Sequence, residues 1–199
     1  MDNKVACLDA RTFAEGYLKG LNRIMERLDV GSIAEFVRVL FEASKRGSNI
    51  FFIGNGGSSA TASHFANDIA FGHHVSLTKP FRAVSLADNL AVVTAIANDF
   101  GYDEVFVQQL KVQMVHGDVV VAISASGNSP NVVRAIEYAN ANDGVTVALT
   151  GFDGGQLRKI ANISVHVPTE KGNYGQTEDV HMMIDHLLAE YILKVCERG

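Results

Sequence analysis

The chain has 199 residues, 47% of them hydrophobic, with 17 Lys and Arg against 22 Asp and Glu and a formal charge of −5. That length holds one folded domain and excludes a second large one, and an acidic balance without a clustered basic face excludes a nucleic-acid-binding surface. The most continuous apolar stretch, residues 119–123, falls far short of the ~20 residues that cross a bilayer, so no membrane partner is expected.

The opening MDNKVACLDA carries acidic residues and no apolar run, so neither a signal peptide nor a transit peptide is expected. Next come two helical segments, residues 9–28 and 32–46. In the first, Phe13, Tyr17, Leu21, Ile24 and Leu28 recur at spacings of three and four and form one apolar stripe. Such a face folds back on its own domain or pairs with a second copy, and a homo-oligomer is the favoured outcome. Cys7 and Cys196 sit near opposite ends without a CxxC partner, so no disulfide framework or thiolate zinc site is expected, which suits a reducing cytoplasm.

Five short β-rich runs follow, at residues 49–53, 82–86, 118–124, 145–150 and 162–167. Most are continuously apolar, the pattern of strands buried on both faces of a parallel sheet. Helix-period segments separate them and another, residues 178–195, closes the chain. The βαβ rhythm implies a three-layer α/β/α sandwich on a five-stranded parallel sheet, with ligands where loops leave the carboxyl ends of the strands. No repeat, low-complexity tract or linker marks a boundary. Residues 1–199 therefore read as a single domain, with N-terminal helices over 1–47 and an α/β core with the C-terminal helix over 48–199.

The first strand runs into Gly54-Asn55-Gly56-Gly57-Ser58-Ser59 and then a helix. Glycines let backbone approach a ligand, and the helix N-terminus faces an anion. The pattern is neither a P-loop nor a full GxGxxG fingerprint, so no nucleotide cofactor is expected. Alone, the loop reads equally as a turn capped by Ser58. The third strand ends in Ser124-Ala125-Ser126-Gly127-Asn128-Ser129-Pro130, with Pro placed to begin a helix. Capping by Ser129 explains one hydroxyl of three, and two such loops on one sheet favour a phosphate monoester on a small molecule.

His64 and Asp68 are four apart on the helix after the first loop, and Glu178 and His186 are eight apart on the last helix, so each pair shares a face. Two His and two carboxylates suit a divalent cation or an acid/base pair, although spacing alone fits ordinary surface residues as well. His73, His74, His116, His166 and His181 read as surface or satisfied polar residues. Asn98-Asp99-Phe100-Gly101-Tyr102 reads as a loop, binding sugar hydroxyls or forming an Asx turn.

Taken together, GNGGSSATASHFANDIA, NDFGYDEVF, ISASGNSPNV, LTGFDGG and EDVHMMIDH occur in the order and spacing of the sugar isomerase (SIS) domain family, and within it resemble the phosphoheptose isomerases. The resemblance implies a flavodoxin-like sandwich whose terminal helices form the bundle of a homotetramer. It further implies conversion of sedoheptulose 7-phosphate to D-glycero-D-manno-heptose 7-phosphate by enediol acid/base chemistry. Carried over by motif, Asp68 and His186 are the catalytic pair. Asn55, Gly56, Gly57, Ser58, Asn98, Asp99, Ser124, Ala125, Ser126, Ser129 and Glu178 lie at the substrate, while His64, Asp68, Glu178 and His186 are the positions of a Zn²⁺ ion. Asp68 stands where the family has Glu, and Glu178 where it has Gln. Those two departures also suit a second reading, a non-catalytic SIS module that binds a phosphosugar or a protein.

Overall fold

The computed structural model describes residues 9–72 and 80–196. All five expected strands form: β1 (Asn49–Gly54), β2 (Arg82–Ser85), β3 (Val119–Ser124), β4 (Val145–Thr150) and β5 (Ile163–His166). They pair in parallel in the order β2-β1-β3-β4-β5, the flavodoxin-like order in which the chain winds outward in both directions from the β1/β3 boundary. The helices are α1 (Ala10–Met25), α2 (Val30–Arg46), α3 (Gly57–Phe71), α4 (Leu90–Phe100), α5 (Val107–Gln113), α6 (Pro130–Ala141), α7 (Leu157–Ile160) and α8 (Tyr174–Cys196), with a 3₁₀ turn at Tyr102–Glu104.

The continuous apolar runs are explained by burial on both sides of the sheet. Ile50 and Phe52 of β1 join Val119, Val121 and Ile123 in a core with Phe36 and Leu40 of α2, Phe65 and Ile69 of α3, and Ile184 and Leu188 of α8. The intervening Phe51, Ile53, Val120 and Ala122 face a second core with Leu110, Ile136 and Leu157 from α5, α6 and α7. Each such large side chain, taken out of water, contributes roughly 1.5–3 kcal/mol. Among the described residues, no helix is long and apolar enough to cross a membrane.

Two helices start earlier than the sequence suggests. The Asp29 carboxylate accepts from the Gly31 N–H at 2.9 Å, so α2 begins at Val30. Helix α8 begins four residues ahead of Glu178, because Asn173 Nδ2 donates to Gln176 Oε1 and Gln176 Nε2 donates to the Tyr17 carbonyl. Its first turn is thus pinned to α1. The apolar stripe of α1 is only partly covered: Ile24 is buried and Leu21 and Leu28 pack on the core, whereas Phe13 is 56% exposed.

Candidate active site

Helices α1, α2 and α4 are capped by their own side chains, Asp9, Asp29 and Asn89. Helices α3 and α6, which follow the two glycine- and serine-bearing loops, are not: Gly56 and Ser129 stand at their N-cap positions with no side-chain cap bond. Capping by Ser58 or by Ser129 is therefore not what the loops do. Helix α6 opens with Pro130, which has no N–H to satisfy, and the two loops leave β1 and β3 at the switch point of the sheet. There a cavity of about 180 Å³ is lined by Asn55, Ser58, Ser124, Ala125, Ser126, Ser129, Tyr174 and Glu178. This is smaller than the ~300–1,000 Å³ of a whole-ligand pocket, and suits one end of a ligand.

The serine loop is tightly held. Gly127 N–H donates to Ser124 Oγ at 3.2 Å, the Ser124 and Ser129 hydroxyls are 3.4 Å apart, and Asn128 N–H donates to Ser126 Oγ at 3.3 Å. Gly127 has φ +63°, and a Cβ there would run into the Gly154 carbonyl, so only glycine closes this turn on the β4–α7 connection.

Helices α3 and α8 lie side by side and in register. Glu178 stands over Gly57, where any side chain would collide with its carboxylate. Seven residues on along each helix, His64 meets Asp185 and His186, since seven residues are two turns and return to the same face. His64 Nε2 is 3.3 Å from His186 Nε2, 3.4 Å from Asp68 Oδ2 and 3.8 Å from Asp185 Oδ2. One ligand atom from each of these four residues lies within 4.8 Å of all the others. On its outer side the cluster opens to a cleft of about 260 Å³ lined by Asp68, Gly72, His186, Ala189, Glu190 and Leu193.

Asp185 is fully buried, and neither carboxylate oxygen has a hydrogen-bond partner among the described residues. Burial, and then the Asp68 charge, push its pKa up to about 8, so without a cation it keeps its proton at neutral pH. Two imidazoles and two carboxylates suit a borderline or hard divalent ion, and a buried carboxylate with both oxygens orphaned is costly in any other setting. The residues present therefore fit a metal.

Residues 16–151 match the SIS domain family. The chain belongs to that family. Among curated relatives, the phosphoheptose isomerase of Geobacter metallireducens is 37% identical over 89% of this chain and 94% of its own. The probable phosphoheptose isomerase of Thermoplasma acidophilum is 36% identical over 90% and 97%. A solved phosphoheptose isomerase from Neisseria gonorrhoeae superposes with a TM-score of 0.80 at 30% identity, covering 92% of this chain and 95% of its own.

Within this SIS domain the structure brings His64, Asp68 and His186 together, but Glu178 lies apart from them, at the cavity between the two loops, and Asp185 stands in the cluster. Asn55 bridges the two loops: it exchanges a pair of amide hydrogen bonds with buried Asn131 at 2.8 and 2.9 Å and accepts from the Tyr102 hydroxyl at 2.9 Å. Asn98 and Asp99 form no loop; they are exposed in the last turn of α4, where Asn98 Nδ2 donates to Asp99 Oδ1.

The remaining histidines divide. His116 is exposed, and His166 Nδ1 bonds Thr150 Oγ1 at 3.1 Å, with burial, and then Arg158, lowering its pKa. His181 is not at the surface: it is fully buried, neither ring nitrogen has a close hydrogen-bond partner among the described residues, and burial pulls its pKa down to about 4 against a weaker opposing contact with the Thr150 backbone. Cys196 is a free thiol. Cys7, His73 and His74 lie outside the described residues.

Sequence reasoning missed Asn131, Tyr102 and Asp185. A signal existed for the last, an acidic residue three and seven positions before the core-facing Leu188 and Ile192 of α8 and so on their face.

Proposed function

We propose that the chain is a ketose/aldose isomerase of phosphosugars, acting on sedoheptulose 7-phosphate to give D-glycero-D-manno-heptose 7-phosphate. The observation that carries this reading is the register of α3. Gly57 at the uncapped loop and His64 at the polar cluster share one face, ~10 Å apart along the axis. An extended seven-carbon sugar phosphate has about that reach, ~10 Å by ordinary bond lengths. Relatives named as phosphoheptose isomerases support the heptose.

In this reading the phosphate sits among Ser124, Ser126 and Ser129 and the N–H groups opening α3 and α6, which offer donors and a favourable dipole without a Lys or Arg. Asn55 and Ser58 line the way from it. The Tyr102–Asn55 bond brings the end of α4 to this loop, and Asn98 and Asp99 are assigned to the sugar hydroxyls. At the other end, one of Asp68 and His186 takes a hydrogen from C1 as a proton while the C2 carbonyl oxygen gains one, giving the enediol. The other returns a proton to C2 as O1 releases its own, which leaves the aldehyde. His64, Asp68 and His186 would hold a divalent ion such as Zn²⁺, whose chemistry when bound is to place positive charge beside the enediolate oxygens.

Helix α1 carries uncovered apolar residues, Phe13 and Leu18, and a gap of about 640 Å³, lined by other α1 residues such as Gly16, Gly20 and Arg23, separates it from the β5–α8 connection. This is the surface assigned to pairing with further copies, as a homotetramer in the cytoplasm. The catalytic assignment is tested by proton exchange at C1 and C2 followed by NMR. Asp68→Asn and His186→Ala are each expected to lose a hundredfold or more, the usual scale of a lost acid/base group, ~10²–10⁴. Full activity in both variants refutes the assignment.

A further inference from the structure

The sequence motifs put a metal at His64, Asp68, Glu178 and His186, yet the structure does not bring that set together. The Glu178 carboxylate stands over Gly57 at the start of α3, whereas His64 and Asp68 lie two and three turns further along. On α8, Glu178 precedes Asp185 by seven residues, ~10 Å. What α8 sets against His64 is the adjacent pair Asp185 and His186.

We infer that Asp185 is the fourth protein ligand of a divalent-cation site made with His64, Asp68 and His186, and that Glu178 belongs to the phosphate end of the pocket instead. Donors ~2.1 Å from a tetrahedral metal are ~3.4 Å apart. The His64 Nε2 distances of 3.3 Å to His186, 3.4 Å to Asp68 and 3.8 Å to Asp185 are already close to that edge length. The side chain that completes the set is also the one with most need of a cation, being fully buried with two orphaned oxygens. Two carboxylates cancel the charge of a divalent ion, so the assembled site is neutral around its one fully buried ligand, Asp185.

Glu178 is explained by the same division of labour. Set over the α3 N-terminus, its carboxylate occupies a position that favours negative charge, and an arriving phosphate competes for that position. The inference rests on the metal-holding part of the proposed function and not on turnover, so its test reads metal binding directly. The probes are Zn²⁺ and Co²⁺ added to chelator-stripped full-length protein, with affinity from calorimetry and the ligand set from the visible spectrum of the Co²⁺ form.

Wild type is expected to bind one ion per chain with a four-coordinate Co²⁺ spectrum. Asp185→Asn and Asp185→Leu should weaken Zn²⁺ binding on the order of a hundredfold or more, since even removing an outer partner of a metal ligand costs about 10–100-fold. Both should also change the Co²⁺ spectrum. Asp185→Leu removes the carboxylate without leaving a buried amide and guards against a folding defect in the amide variant. Glu178→Gln should leave affinity within about threefold and the spectrum unchanged. Loss of affinity in Glu178→Gln with Asp185→Asn unaffected overturns the inference while leaving a metal site standing. No binding by wild type overturns both the inference and the metal-holding part of the proposed function.

Discussion

Replacing His181 by Met separates the energetic role of one buried group from the rest of the molecule. The imidazole is completely buried, with no close hydrogen-bond partner among the described residues, and burial, outweighing the Thr150 backbone beside it, lowers its pKa from the usual 6.5 to about 4. Between those values the unfolded chain takes up a proton that the folded chain refuses, so stability from this group is complete above pH ~6.5 and is lost as pH falls toward 4. Each pH unit over which only the unfolded chain is protonated costs about 1.4 kcal/mol, and the loss between pH 7.5 and pH 5 comes to about 2 kcal/mol. Methionine has similar bulk, adapts to irregular packing and does not titrate. Urea unfolding at fixed protein concentration, with chelator present throughout, gives both pH profiles. Wild type should lose about 2 kcal/mol more than His181→Met between pH 7.5 and pH 5, and the two curves should converge or cross toward neutral pH. Parallel curves would refute the reasoning, because they would mean that the ring is protonated or hydrated in the folded state.

Ser129→Ala removes a hydroxyl that makes no cap and whose one side-chain neighbour is Ser124. Stability should change by less than about 1 kcal/mol, whereas KM for a phosphosugar should rise about tenfold or more, since a hydrogen bond to a charged group is worth about 1.5–3 kcal/mol; steady-state kinetics beside thermal unfolding checks the split. Gly127→Ala forces an L-residue to φ +63° and drives a Cβ into the Gly154 carbonyl. It should cost at least the ~1–2 kcal/mol of a left-handed residue and weaken phosphosugar binding together with stability, in contrast to Ser129→Ala.

The sheet was legible in the sequence because both faces of β1, β3 and β4 are buried, which leaves short uninterrupted apolar runs. The two glycine- and serine-bearing loops were legible as strand-to-helix turns, and that neither Ser58 nor Ser129 caps its helix was not. Helix starts were less so: α8 extends back to Tyr174 through side-chain bonds to α1, a tertiary effect invisible to local pattern. The polar cluster was half legible. His64, Asp68 and His186 were found by motif and spacing, and Glu178 was placed with them by the same motif carry-over and by its shared face on α8. Parallel packing of α3 against α8 decides which turns meet, and it brings Asp185 in. Asn131 and Tyr102 were missed for a related reason, since each acts by positioning Asn55 across a long sequence separation.

The isomerase reading is tested most directly by incubating purified wild-type protein with sedoheptulose 7-phosphate in deuterated buffer, with and without Zn²⁺, and following the sugar by NMR. The account predicts an aldoheptose product with deuterium entering at the carbons that exchange protons through the enediol. Binding shifts without product and without deuterium uptake under either condition would contradict it, and would mark the site as one that holds a phosphosugar without turning it over.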